Sequence, residues 1–450
     1  MTESWNGPGN FIALWTDATT AYALYQPGRL VSTPIAENAY PALANPAAAW
    51  FQRLAHDTNG HIATGAADTR PAIEHFTAPD GTSAWPDFPA PSGEGEHHVS
   101  VGPIHAAIIE PGNFRFLLLG EQVLKLEARL GYSHKGTLAL MRGKSPRLAA
   151  RFAARISGDS TIAHSLAFAH AAEAALGLIP PPRATHLRAV MAEMERLANH
   201  ASDIGAIAGD AGFAFLDSRL SWHRESLCTA AHAAFGHRLM MDIIIPGGVA
   251  GDIKTNGPAA IRAAIDALET ELPSLTRIFE DYAGLQDRLI GTGTIPPVLA
   301  EAYAATGVVG RASGQKQDAR LTPGYPPYGT LALISPVEQE GDVAARIRIR
   351  LAEIAESIRM IRDLLATLPD TEIALAPPSG SGIGIGVAES FRGPVWVWLT
   401  LESGTISDIF VADPSTIHWP LLEYAATTGI LADFPLINKS INPSYSGVDL

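Results

Sequence analysis

A single cysteine, Cys228, stands in a chain of 450 residues. One thiol excludes a disulfide framework, an iron–sulfur cluster and any all-thiolate metal site held by this chain alone. Charge is also scarce: Asp, Glu, Lys and Arg make up 17% of the residues, and 46 acidic against 32 basic side chains leave a net charge of −14. An acidic chain without a basic block argues against nucleic acid or an anionic membrane surface as the main partner. No apolar run is long enough to cross a bilayer, and the strongest, residues 239–245, stops at Pro246. The opening MTESWNGPGNFIALW has no basic segment ahead of an apolar one, so a cytoplasmic location is expected. What is present is apolar side chains, at 47%, which suffices for a large core and excludes intrinsic disorder. So apolar a chain with so little charge is expected to cover part of its surface with partner subunits.

The usual catalytic signatures are missing as well. There is no HExxH and no GxSxG, and the Gly-rich stretch PSGSGIGIGVAES (378–390) lacks both the Gly-Lys-Ser/Thr ending and dinucleotide-turn spacing. It reads as a loop between a helix and a strand. Cys228 and His232 are four apart on an expected helix, with His223 and His237 nearby. That spacing allows a metal pair, but without a second pair of ligands a buried thiol among ordinary helix histidines is the favoured reading. In RISGDSTIAHS (155–165), Gly158, Asp159, Ser160 and Thr161 make a helix N-terminus with His164 one turn in.

Periodicity supplies the organisation. Residues 11–15 and 21–25 read as strands and 47–56 as a helix; residues 84–98, rich in Pro, Gly, Ser and acid, read as a linker. The stretch 99–130 reads as two strands joined by a Pro/Gly turn, with a helix starting at the end of the second. Leu187, Val190, Met191, Met194, Leu197, Ala201 and Ile204 lie on one helix face, with Thr185 as a candidate cap after Pro180–Pro182. Further amphipathic helices are expected over 216–241, 258–287 and 343–368, and PVWVWLTLES alternates with the period of a strand. The expected fold is α+β and mainly α, a central helical bundle with small β-rich N- and C-terminal parts, preceded by a small α+β domain.

Taken together, VGPIHAAIIEPGNFRF (101–116), LGYSHKG (130–136), RISGDSTIAHS, ATHLRAVMAEMERLANHASDIGAIAGDAGF (184–213), IIPGGV (244–249), GRASG (310–314), ESFRG (389–393) and ADFPLINKSINPSYSGVDL resemble a known superfamily. It comprises the large subunit of nickel–iron hydrogenases and the 49-kilodalton subunit of respiratory complex I, and the resemblance is nearest to formate-hydrogenlyase-type large subunits. Residues 99–450 are similar to that subunit and 1–83 to a degenerate 30-kilodalton complex I subunit, with 84–98 between them.

Hydrogenases of this family hold their metals by four cysteines, in RxCGxC and DPCxxC motifs, because thiolates stabilise and bridge low-valent nickel and iron. The resemblance places Ser157, Ser160, Ser444 and Gly447 at those positions, implying a hydrogenase-like subunit without the nickel–iron centre and not an active hydrogenase. It further implies an oxidoreductase complex: an iron–sulfur small subunit carrying a 4Fe–4S cluster, antiporter-like membrane subunits, and a peripheral place on the cytoplasmic face of the inner membrane. NAD-linked chemistry would belong to other subunits. A quinone is the acceptor used by the complex I relative, although that relative's quinone-binding histidine and tyrosine have no counterparts here. Glu110, His164, Arg311 and Arg392 match residues lining the family's cavity, and Asp318 falls in a polar loop. A proton relay is one role for them, a partly buried Glu110 being suited to it, and a buried hydrogen-bonded scaffold is the other. The alternative for the whole chain is a structural or coupling subunit with no redox site of its own.

Overall fold

The computed structural model describes residue 5 and residues 9–73, 88–106 and 109–450. Three short strands, β1 (Phe11–Thr16), β2 (Thr20–Tyr25) and β3 (Arg29–Pro34), form an antiparallel meander, and β4 (Ala39–Pro41) pairs in parallel with β5 (Ile62–Thr64) around helix α1 (Ala49–Asn59). A second meander follows, made of β6 (Glu96–Val101), β7 (Asn113–Leu119) and β8 (Gln122–Arg129). Two sequence expectations change here. The last residues of the stretch read as a linker, Glu96 to His98, belong to β6, and residues 84–87 lie outside the described residues. The stretch expected to begin a helix is instead a third strand, because the turn at Gly120, with φ of 59°, returns the chain antiparallel.

Helices then dominate: α2 (Thr137–Met141), α3 (Pro146–Ala153), α4 (Thr161–Leu176), α5 (Pro182–Asp210) and α6 (Ala214–Phe235). After the two-residue strands β9 (Ile244–Ile245) and β10 (Gly248–Val249) come α7 (Gly257–Asp281), α8 (Ala283–Leu289), α9 (Pro297–Ala302), α10 (Gly307–Ala312) and α11 (Val343–Ala366). The expected apolar faces of α5 and α11 are buried, Leu187 to Ile204 in the first and Ile347 to Leu365 in the second. Helix α5 starts at Pro182, so Thr185 lies inside it and its hydroxyl donates to the Pro182 carbonyl rather than capping. Helix α6 ends six residues before the expected Met241, because Gly236 takes the left-handed conformation that closes a helix. The stretch 258–287 is broken at Tyr282, whose extended ψ of 95° separates α7 from α8.

A third meander, β11 (Gly382–Glu389), β12 (Pro394–Glu402) and β13 (Thr405–Ala412), leads to α12 (Ser415–Ala426), α13 (Phe434–Ile441) and α14 (Ser446–Asp449). The Gly-rich segment expected to be a loop is thus mostly strand β11. Its glycines let the strand lie directly on α4: a Cβ on Gly384 would sit 1.9 Å from the Ala171 carbonyl oxygen, and one on Gly386 2.2 Å from that of Ala167. Gly386→Ala should therefore lower stability by about 1–3 kcal/mol or more, read as a fall in the chemical-denaturation midpoint. An unchanged midpoint would refute this packing.

Val395 to Leu399 of β12 are buried on both faces, which explains that apolar run. Val397 and Leu399 pair across from Gly386 and Gly384 on the α4 side. On the other side Trp398 lies 5.3 Å from Trp15 of β1, and Trp15 stacks on Phe410 at 5.2 Å. The first meander thus packs on the third through aromatic contact. The fold is α+β and mainly helical.

Candidate functional site

Two loops from distant parts of the chain meet in the interior. The first, residues 155–160, leads into α4; the second, residues 442–447, joins α13 to α14. Ser157, Ser160, Ser444 and Ser446 are all buried. The hydroxyl of Ser157 donates to Asp159 Oδ1 at 3.0 Å and lies 2.8 Å from the hydroxyl of Ser444. Since the Ser157 proton is engaged by the carboxylate, Ser444 is the donor of the second bond. Ser444 Oγ in turn accepts from the backbone N–H of Gly447 at 3.0 Å. A directed chain runs from Gly447 through both serines to Asp159.

Arg392 closes that chain. It sits in the turn between β11 and β12, and its two terminal nitrogens donate to the two Asp159 oxygens at 2.8 and 2.5 Å. Its Nε donates to the carbonyl of Asn442, so one guanidinium holds both loops. Burial opposes ionisation of Asp159, but the charge and hydrogen bonds of Arg392 prevail and hold its carboxyl at about 2.

His164, one turn into α4, is also buried. Its Nδ1 meets the Ser160 carbonyl at 2.9 Å and the Ser160 hydroxyl at 3.2 Å. Nε2 lies 3.1 Å from Asp413 Oδ2, at ion-pair distance but without hydrogen-bond alignment. Asp413 follows β13, and its Oδ1 accepts from the backbone N–H of Ser415 at 2.8 Å, in the first turn of α12. Although burial pushes the other way, His164 and Arg392 hold the Asp413 carboxyl below the usual range.

The four residues singled out from the sequence do not form one cluster. His164 and Arg392 flank the serines. Glu110 reaches the same region, its Oε2 accepting from the Ser446 N–H at 3.0 Å, but it is exposed rather than partly buried. Arg311 belongs elsewhere. It donates to Glu353 Oε1 through Nε at 2.9 Å and Nη2 at 2.5 Å, and to Glu389 Oε1 at 3.1 Å, with Asp318 at 3.7 Å. This second network is wholly buried and continues through Arg320 to Glu193, which accepts from Tyr328 at 2.6 Å and Ser357 at 2.6 Å. None of these partners belongs to the serine loops.

Nothing in the sequence marks Glu195 for a role. From α5 its two oxygens accept from the backbone N–H groups of Ile162 and Ala163, at 2.7 and 3.1 Å, capping α4 from another helix because Ser160 supplies no side-chain cap. Burial pushes its carboxyl up to about 8 against those two bonds. Glu195, Asp159, Asn199, Arg224 and Cys228 line a cavity of about 330 Å³ whose edge is the Gly158–Asp159 peptide. Cys228 is buried there while His232 is exposed, so the two share no ligand position. Among the described residues, no group of three or more His, Cys, Asp or Glu side chains is placed to hold a metal ion.

The sequence is similar to those of several known proteins. The family described as "Respiratory-chain NADH dehydrogenase, 49 Kd subunit" matches residues 218–382. The chain is 27% identical over 443 residues to formate hydrogenlyase subunit 5 of Escherichia coli (strain K12), covering 91% of this chain and 77% of that protein. It is 28% identical over 352 residues to the carbon monoxide-induced hydrogenase of Rhodospirillum rubrum, covering 77% of this chain and 98% of that protein. It is 26% identical over 387 residues to NADH-quinone oxidoreductase subunit 4 of Thermus thermophilus, covering 78% of this chain and 93% of that protein. This chain is therefore similar both to large subunits of the formate-hydrogenlyase type and to the 49-kilodalton subunit of respiratory NADH dehydrogenase.

Proposed function

We propose that this chain is a large subunit of a membrane-associated, complex I-like oxidoreductase, and that it works without a nickel–iron centre of its own. The observation that carries the second half is the hydrogen-bonded serine chain. Both hydroxyl protons are engaged, Ser157 on Asp159 and Ser444 on Ser157, so the site offers neutral hard oxygens and a glycine where low-valent metals need thiolates. The residues present do not fit the metal centre, and no chemistry is assigned to it.

In this reading an iron–sulfur small subunit with a 4Fe–4S cluster is the electron-donating partner, antiporter-like subunits anchor the assembly, and the chain sits peripherally on the cytoplasmic face of the inner membrane. No described helix is long and apolar enough to cross a membrane. Residues 1–83 would serve as the 30-kilodalton-like piece and 99–450 as the large-subunit-like part. Electrons from the small subunit would pass to a quinone-type acceptor, with Glu110 and His164 handling the accompanying protons beside the fixed Arg392 cation, which couples to them through Asp159 and Asp413. The second reading is a coupling subunit with no redox substrate, favoured by the burial of Ser157 and Ser444 at 2% and 4% exposure, which leaves the cavity only the Gly158–Asp159 edge of the site.

The assembled complex decides between them. Quinone-analogue reduction that falls at least tenfold in Glu110→Gln, with assembly intact on native gels, is the result expected of the first reading. Reduction that is absent in the wild-type complex, or unchanged by Glu110→Gln and by Arg392→Lys, would leave the coupling role.

A further inference from the structure

Gly447 stands at the fourth position where the metal-binding relatives carry a ligand, and the space beside it is filled. A Cβ at residue 447 would lie 2.4 Å from Asp413 Oδ2, 2.7 Å from its Cγ and 3.0 Å from Ser444 Oγ. Real side chains do not approach so closely, so something would have to move. Asp413 cannot yield easily. It is buried at 4% exposure, its Oδ1 is fixed by the Ser415 N–H, and its Oδ2 faces His164. Its backbone carbonyl also accepts from the Thr416 N–H at 3.1 Å, at the start of α12.

Charge balance gives the carboxylate a reason to be there. Arg392 is a buried cation, and a stranded buried charge is strongly unfavourable. Asp159 contacts it directly and Asp413 adds a second nearby negative charge. The two loops are also tied without any bridging ion, through the Ser157–Ser444 bond and through Arg392 holding Asp159 and Asn442 together.

We propose that Asp413 is a positioning residue that occupies the space of the missing fourth ligand, and that with Arg392, Ser157 and Ser444 it forms a polar lock joining the α4 entry loop to the C-terminal loop. This rests on the metal-free reading given above and deepens it: restoring cysteines at 157, 160, 444 and 447 would not by itself rebuild a thiolate site, because Asp413 stands where the fourth side chain must go.

A mutant cycle on the full-length chain tests the lock. Gly447→Ala should lower the melting temperature by several degrees in the wild-type background, yet cause little further loss when added to Asp413→Gly, which removes the opposing carboxylate. Equal losses in the two backgrounds would overturn the proposal. If Gly447→Ala alone fails to fold, the same cycle is read as soluble yield, with recovery on adding Asp413→Gly expected and no recovery overturning it. Metal analysis of the wild-type chain separates the two layers. Stoichiometric nickel and iron would overturn the metal-free reading and the lock with it, whereas equal losses in a metal-free chain would overturn the lock alone.

Discussion

Alanine in place of Arg311 should destabilise the chain by at least about 3–5 kcal/mol, the cost of breaking a buried ion pair by removing one partner. Three carboxylates surround this guanidinium: Glu353 at 2.5 Å, Glu389 at 3.1 Å and Asp318 at 3.7 Å. Neither Arg311 nor any of the three is exposed to water, so no solvent replaces the lost cation. Arg320 and Arg196 remain nearby, but Arg320 is committed to Asp318 and Glu193, and Arg196 donates to Glu193 and to the carbonyls of Glu389 and Ser390. The consequence is a fall in soluble yield, or in the denaturation midpoint if the variant folds. Arg311→Lys keeps the charge but cannot reach Glu353 and Glu389 with a planar fork, so it should recover only part of the loss. A midpoint unchanged in Arg311→Ala would refute the view that this cation organises the network. The network binds α5, α10, α11 and β11 together, which makes it a scaffold, and Arg311's environment favours that role over a relay at the serine loops.

That assignment illustrates what the sequence could and could not reveal. Helices α5 and α11 were legible because their apolar residues recur every three or four positions along long stretches. Strand β11 was not, because a strand that lies on a helix backbone needs glycines, and glycines carry no period. The serine loops stood out through the resemblance alone, which sets Ser157, Ser160, Ser444 and Gly447 in two short segments. Asp413 was not. Its Asp-Pro-Ser-Thr context signals a helix start, and it does bind the Ser415 N–H, but nothing local announces that its other oxygen faces His164 and Gly447. Glu195 was hidden for a similar reason. It lies in a polar stretch of α5 that looks solvated, and only the docking of α4 turns it into a buried cap. Position along the chain can place a side chain on a helix face, but long-range packing decides which charges are dry.

Glu195 gives the chain a pH dependence with a defined sign. Its carboxyl is pushed by burial from 4.5 up to about 8, so the folded state holds a proton that the unfolded state has released throughout that interval. Stability from this group is full below about 4.5 and is lost as pH rises toward 8, with an upper bound of about 5 kcal/mol at 1.36 kcal/mol per pH step. Glu389 is displaced in the same direction, by burial and then by its neighbour Asp318. The opposing groups act at lower pH. Burial pulls His418 and His170 from 6.5 to about 4, so their contributions are present above 6.5 and disappear as pH falls toward 4. Asp159, held at about 2, adds a loss only below its ordinary value of 3.8. Burial pushes Glu423 and Asp449 up to about 7 as well, so between about pH 4.5 and 6.5 these four raised carboxyls outweigh the two histidines. Stability is therefore highest near about pH 4.5 to 5 and declines from there toward 8, with Glu195 the last of the four to lose its proton. Denaturation midpoints measured across pH 4 to 9 should trace this curve. Glu195→Gln removes the titrating proton while keeping an acceptor for one of the two backbone N–H groups, so it should flatten the decline above pH 6.5 even though it lowers stability at pH 6. A slope between pH 6.5 and 8 that is as steep in the variant as in the wild type would sink the assignment, because His418 and His170 are already neutral in both states over most of that range.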